Sequence, residues 1–227
     1  MSATLAPPFD VVAFDLDGTL ADTSADLAAA LNHALRRMGR PAIMLDDVRL
    51  MVGHGTRALM HQGLAATGEA SEALVEASLP DLVDFYASNI CRATTAYPGV
   101  EAALDTLSSR GVRLAICTNK PERLTRTLVD ALGWARRFDA VIGGDTLSVC
   151  KPDPAPLREA IARAGGGAAA YVGDSITDAR TAVSAGVPFV AVAFGFRDRP
   201  VEQFGAQAVL DHFDALVDTL ERVGRSA

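Results

Sequence analysis

The feature that most limits what this chain can become is the alternation, from Tyr97 onward, of short apolar runs with longer helical stretches. "VRLAIC" (112–117), "FDAVIGG" (138–144), "AAAYVGD" (168–174) and "PFVAVA" (188–193) are near-continuous apolar runs, and "FDVVAF" (9–14) is a fifth of the same kind. A strand with one face in water alternates apolar and polar residues; a run without that alternation needs cover on both faces. Between the runs, residues near 100–109, 121–132, 154–164 and 175–185 carry helical spacing. This order predicts an α/β fold, a Rossmann-like parallel sheet core with helices on both sides.

Residues 21–93 interrupt the pattern with no strand-like run. "SADLAAALNHALRRMG", "LDDVRLMVG", "GTRALMHQGLAAT" and "SEALVEASLPDLVDFYASNI" place apolar residues three and four apart, the spacing of amphipathic helices. Gly39-Arg40-Pro41 and Thr67-Gly68 separate them, and "AYPGV" (96–100) marks the return to the sheet. The division is therefore a core of residues 1–20 and 94–227 with a helical subdomain, 21–93, inserted after the first strand. "AGGGAAA" (164–170) reads as a flexible turn.

Open parallel sheets bind ligands at the carboxyl ends of their strands. The first strand ends in Asp15 and Asp17, "VRLAIC" ends in Thr118 and Asn119, and "YVG" ends in Asp174, with Asp178 four residues on. Lys151 follows the "VIGGDTLSVC" segment. Carboxylates gathered at one edge repel unless a cation offsets them, and an all-oxygen donor set suits a hard divalent ion such as Mg2+. Asp15 and Asp17 are two apart, so an extended strand aims both the same way. Gly18 permits a sharp turn with backbone N–H groups facing an anion.

"DLDGTLAD" (15–22), "CTN" (117–119), "KPDP" (151–154) and "GDSITD" (173–178), in that order, resemble the four motifs of the haloacid dehalogenase superfamily, whose phosphatases work through an aspartyl-phosphate. The intervening phrases "YPGV", "TNKPERLTRTLVDALG", "FDAVIGGDTL" and "YVGDSITDARTAVSAGVP" are similar to bacterial phosphoglycolate phosphatases over nearly all of residues 9–220. The helical insertion resembles the superfamily's cap. The resemblance implies Asp15 as nucleophile and Asp17 as acid and base toward the leaving alkoxide and the attacking water. It implies Mg2+ held by the Asp15 carboxylate, the Asp17 backbone carbonyl and Asp174. Thr118 and Asn119 would donate to phosphate oxygens, and Lys151 would neutralise the nucleophile and the transferring group. Asp178 would orient Lys151 or a metal-bound water, with direct metal binding left open. In "GHGTRAL" (53–59), Arg57 or another cap arginine is the expected donor to a glycolate carboxylate, and His54 shares that loop.

Other chemistries of the superfamily fit less well. Dehalogenases lack the second aspartate, present here as Asp17. Phosphonate-cleaving relatives use a cap lysine, and residues 1–119 contain none. Sugar-phosphate mutases usually carry a histidine where this chain has Leu27. A phosphatase for a sugar phosphate, a mutase and a non-catalytic binding protein of the same fold stand as alternatives.

A net charge of −7 argues against nucleic acid or an anionic membrane surface as partner, and no apolar run reaches the length of a membrane-spanning helix. Three cysteines without ligand spacing read as reduced thiols; with no secretory pattern in "MSATLAPPFD", the expected location is cytoplasmic. The expected partner is a small phosphorylated metabolite, and the expected assembly a monomer or homodimer. Trp134 and the nine phenylalanines are expected in the core, Arg197 and Arg199 on a solvated turn, and His33 and His61 at packing or surface positions. Nineteen of the 21 basic residues are arginine; the two lysines, Lys120 and Lys151, each precede a proline. Proline restricts the backbone before it. Lys151 is expected to need the compact shape of an ammonium, and Lys120 to be a solvated or phosphate-rim cation.

Overall fold

The computed structural model describes residues 7–196 and 199–226. Its strands are β1 (Val11–Phe14), β2 (Ala21–Asp22), β3 (Thr95–Ala96), β4 (Arg113–Cys117), β5 (Ala140–Ile142), β6 (Ala169–Gly173), β7 (Phe189–Val192) and β8 (Ala208–Leu210). The helices are α1 (Ser24–Arg37), α2 (Leu45–Arg49), α3 (Thr56–Thr67), α4 (Glu72–Ser88), α5 (Val100–Ser109), α6 (Glu122–Ala131), α7 (Ala155–Arg163), α8 (Ile176–Ala185) and α9 (Leu216–Ser226). Six strands form a parallel sheet in the order β5-β4-β1-β6-β7-β8.

The apolar runs divide between the two faces with a period of two. Val12 and Phe14 of β1, Leu114 and Ile116 of β4 and Val172 of β6 join one core; Val11, Ala13, Ala115, Cys117 and Tyr171 join the other. Every residue of β1 is buried, as a central strand covered by helices on both sides must be. Trp134 is 1% exposed and lies in the first core.

The chain leaves β4 for β5 on one side of β1 and later builds β6 to β8 on the other. The reversal leaves a crevice at the carboxyl end of β1, the place where such sheets bind ligands. β8, the C-terminal α9 and the β2–β3 pair go beyond the five strands and the helices that the periodicity marks.

Helices α1 to α4 pack on one another and extend the first core through Leu31, Leu35, Met60, Leu64 and Leu82. The chain passes to and from them through β2 and β3, which pair antiparallel, Ala21 with Ala96 and Asp22 with Thr95. Asp26, buried in the first turn of α1, accepts from the amides of Ala93 and Thr94 at 3.1 and 2.9 Å and from the Thr94 hydroxyl at 2.7 Å. Of the motif "LDDVRLMVG" only Leu45–Arg49 is helical. Its continuation, Val52, Gly53 and Gly55, turns down toward the sheet edge.

Candidate active site

The crevice is lined by Asp15 and Asp17 after β1, by Thr118, Asn119 and Lys120 after β4, and from above by Leu27, Val52, Thr56 and Leu59. Counting its open mouth, it holds about 380 Å³ of empty space. The Asn119 Nδ2 donates to the Gly53 carbonyl at 3.1 Å, joining the sheet edge to the helical insertion. Gly55 has φ +86°, and a Cβ there would lie 3.1 Å from the Asn119 carbonyl, so glycine lets this loop come so near.

Asp15 is 4% exposed and Asp174 3%. Burial first, then the charges of Asp178 and Asp17, push Asp15 up to about 6 against the opposing pull of Lys151. Burial, Asp178 and Asp15 likewise hold Asp174 well above the carboxylate range, although it accepts from the Phe196 amide at 2.8 Å and the Thr19 hydroxyl at 3.0 Å. Gly18 has φ +82°, and a Cβ there would meet Asp174 Oδ2 at 2.3 Å; the motif loop is pressed onto the second carboxylate.

Lys151 is buried at the hub. Its Nζ donates to the Tyr171 hydroxyl at 2.9 Å and to Asp178 Oδ1 at 2.6 Å, and lies 3.0 Å from Asp15 Oδ1. That last contact is close in distance but misaligned, so Asp15 Oδ1 has no hydrogen bond. Burial pulls the ammonium down; Asp15 and Asp178 outweigh it and hold Lys151 above its ordinary value. The Tyr171 hydroxyl in turn lies 2.8 Å from both the Cys117 carbonyl oxygen and Asp178 Oδ1, two acceptors that share its one hydrogen.

One oxygen each from Asp15, Asp174 and Asp178 lie within 4.8 Å of one another, the one such acidic group among the described residues. Asp178 is the least free of the three. Its Oδ1 takes Lys151 and Tyr171, and its Oδ2 takes the amides of Asp174 and Ser175 and the Ser175 hydroxyl, five donors for about four lone-pair sites. Part of this is the capping box that starts α8, so the residue that begins the helix also anchors Lys151. Asp15 and Asp174 keep acceptor capacity. The buried site sets four carboxylates, Asp15, Asp17, Asp174 and Asp178, against two ammonium groups, leaving the charge that one divalent cation would neutralise. An all-oxygen set with an unbonded Asp15 oxygen fits a hard divalent ion.

Arg57 is exposed and pairs with Glu72 and Glu76 at the start of α4. Thr56 and Leu59, three apart on α3, face the crevice, and residue 57 is turned about 100° away. His54, also exposed, does not line the crevice either. The Asn119 side chain is engaged by the chain itself: its Oδ1 accepts from the Lys151 amide at 3.0 Å and its Nδ2 donates to the Lys151 carbonyl at 3.2 Å. Thr118 Oγ1 accepts from the Lys120 amide at 3.3 Å, leaving its own hydrogen for a ligand.

Lys120 is no solvated cation. Its side chain is 2% exposed, with Nζ 2.8 Å from both carboxylate oxygens of Asp17 and 4.6 Å above the ring of Tyr86 from α4. Burial pulls this ammonium down too, and Asp17 and Tyr86 hold it above its ordinary value. The Asp17 Oδ1 also accepts from the Thr23 hydroxyl at 2.7 Å. Tyr171 is absent from the sequence expectations; its one signal is a phenol in a strand otherwise made of Ala, Val and Gly. Arg199 is exposed, and Arg197 lies outside the described residues.

The model of the family described as haloacid dehalogenase-like hydrolase matches residues 12–192. The chain belongs to that family. Among curated members, the phosphoglycolate phosphatase of Mesorhizobium japonicum is 44% identical over 221 residues, covering 96% of this chain and 97% of its own. That of Caulobacter vibrioides is 43% identical, covering 89% and 86%. Among solved hydrolases, the predicted phosphoglycolate phosphatase of Haemophilus somnus superposes with a TM-score of 0.88 at 29% identity, covering 93% of this chain and 97% of the other. That superposition covers more of the chain than the segment 12–192.

Proposed function

We propose that this chain is a magnesium-dependent phosphomonoester hydrolase that converts 2-phosphoglycolate to glycolate and phosphate through an aspartyl-phosphate. The observation that carries the reading is a small crevice lined by Asp15, Asp17 and Thr118, with Lys151 and Asp174 gathered behind it around Asp15, in a chain whose relatives are phosphoglycolate phosphatases. Residues 21–93 act as its cap, and 1–20 with 94–227 as its catalytic core.

The Asp15 carboxylate attacks phosphorus and the ester oxygen leaves. Asp17 gives that oxygen a proton, then takes one from the water that opens the acyl phosphate. Lys151 balances the charge on Asp15 and on the phosphoryl oxygens, held in place by Asp178, Tyr171 and the paired amide of Asn119. Thr118 donates its hydroxyl hydrogen to a phosphoryl oxygen. Bound Mg2+, held by Asp15, Asp174 and the Asp17 carbonyl, supplies charge neutralisation to the phosphoryl oxygens. Leu27 lines the crevice where mutases usually carry a histidine, and an alkyl group there moves no proton.

The test is phosphate release from a panel of phosphomonoesters with Mg2+. Phosphoglycolate is expected to have the highest kcat/KM. A sugar phosphate faster by about a hundredfold, some 2.7 kcal/mol in transition-state binding, would replace the substrate and keep the reaction class. Folded protein that releases phosphate from none of them would end the enzyme reading.

A further inference from the structure

The substrate proposed above carries a carboxylate one carbon beyond the ester oxygen, so a selective site needs a cation there. With Arg57 turned away, the residues lining the crevice include one cationic side chain, Lys120. Lys151 is engaged with Asp178, Tyr171 and Asp15 and does not line the crevice.

The position of Lys120 suits the task. Asp17 must reach the ester oxygen to protonate it, and Lys120 Nζ lies 2.8 Å from both oxygens of that same carboxylate. In phosphoglycolate the carboxylate lies about 3 Å from the ester oxygen, the span of one hydrogen bond. A substrate whose ester oxygen meets Asp17 thus brings its carboxylate within reach of the ammonium. An ammonium has three donors; two go to Asp17 and one remains, with the Tyr86 ring at 4.6 Å backing the charge. Lys120 is 4% exposed, and a buried cation discriminates between a charged and a neutral partner far better than a solvated one.

We propose that Lys120 sets the substrate preference of this enzyme by binding the carboxylate of the leaving group, while Lys151 serves the phosphoryl end. The inference rests on the phosphoglycolate reading. It differs from a purely structural role, in which Lys120 only neutralises Asp17 and its loss slows every ester alike.

The experiment compares 2-phosphoglycolate with 2-hydroxyethyl phosphate, an ester of the same length with a neutral end, in the full-length enzyme and in Lys120→Met. Wild type is expected to favour phosphoglycolate, and Lys120→Met to lower that kcat/KM ratio by about a hundredfold, whatever loss both substrates share. Lys120→Arg, which keeps the charge, is expected to recover part of the ratio. A preference unchanged in Lys120→Met overturns the role of Lys120 and leaves the substrate reading intact. Wild-type enzyme with no preference overturns both. Should Lys120→Met not fold, a crystal structure of Asp15→Asn with 2-phosphoglycolate decides: a substrate carboxylate at hydrogen-bond distance from Lys120 Nζ supports the assignment, and a carboxylate placed elsewhere overturns it.

Discussion

The two lysines occupy neighbouring parts of one site and are held in different ways. Lys151 is fixed by Asp178, Tyr171 and Asp15 and, through its backbone, by Asn119, all from the sheet, the loops at its edge and the first turn of α8. Lys120 is held by Asp17 from the sheet edge but stands over Tyr86, which belongs to the helical insertion. A cation enclosed by one rigid layer suits a step that is the same for every phosphate ester. A cation at the seam between two layers can answer to what the insertion encloses. The difference teaches that burial and charge are alike at the two positions, and that the elements supplying the partners separate their tasks.

The strongest test of the sheet-edge half is Asp15→Asn. It removes the proposed nucleophile, so turnover is expected to fall by about ten-thousandfold or more. It also removes one charge from an overcrowded cluster, so the metal-free variant is expected to melt no lower than wild type; a lower melting temperature would mean that Asp15 is stabilising as it stands. Lys151→Arg comes next. The planar fork keeps the charge but does not fit between Tyr171, Asp178 and Asp15, and kcat is expected to drop by about a hundredfold. Near-normal turnover would mean that charge alone suffices there.

Magnesium affinity is expected to fall by about tenfold per pH unit below the raised Asp15 value of about 6. The sign follows from a carboxylate pushed up on folding: the buried group costs little while protonated, and its cost appears as pH rises through about 6. A bound cation offsets that cost, so Mg2+ should raise the melting temperature more at pH 8 than at pH 5. An equal rise at both would place the cation on other groups.

Asn119→Ala should lower kcat by about tenfold with little change in KM, because it loosens Lys151 rather than a phosphate contact. A rise in KM alone would return Asn119 to the substrate. Arg57→Ala is the smallest: an exposed residue outside the crevice should leave the ratio of phosphoglycolate to 2-hydroxyethyl phosphate within about twofold. A collapse of that ratio would move carboxylate recognition from Lys120 to the insertion.

Much of this architecture was readable before any coordinates. Strands covered on both faces are written as unbroken apolar runs, and β1, β4, β5, β6 and β7 lie inside the runs that predict them. β8 has three residues, and its Val209 is 45% exposed, so it lacks such a run. α9 does carry a signal, Leu216, Leu220 and Val223 buried at helical spacing. At the site, carboxylates after strands were legible because position along a parallel sheet fixes where strand ends gather. Partners across long separations were not. Lys120 and Asp17 are 103 residues apart, and whether a lysine four carbons long folds inward depends on a carboxylate that no local pattern reveals. Arg57 shows the converse: its loop reaches the crevice, but the helical turn decides which residue of that loop faces in.

Because the chain has only two lysines and both are buried, its folded surface offers no lysine amine to solvent. Amine-directed acylating reagents should therefore leave both lysines of the native protein nearly unlabelled, while exposed arginines such as Arg37 and Arg57 keep it open to guanidine-directed chemistry. Any lysine acylation that does appear reports the moments when the crevice stands open, so a common labelling reaction becomes a gauge of access to the site.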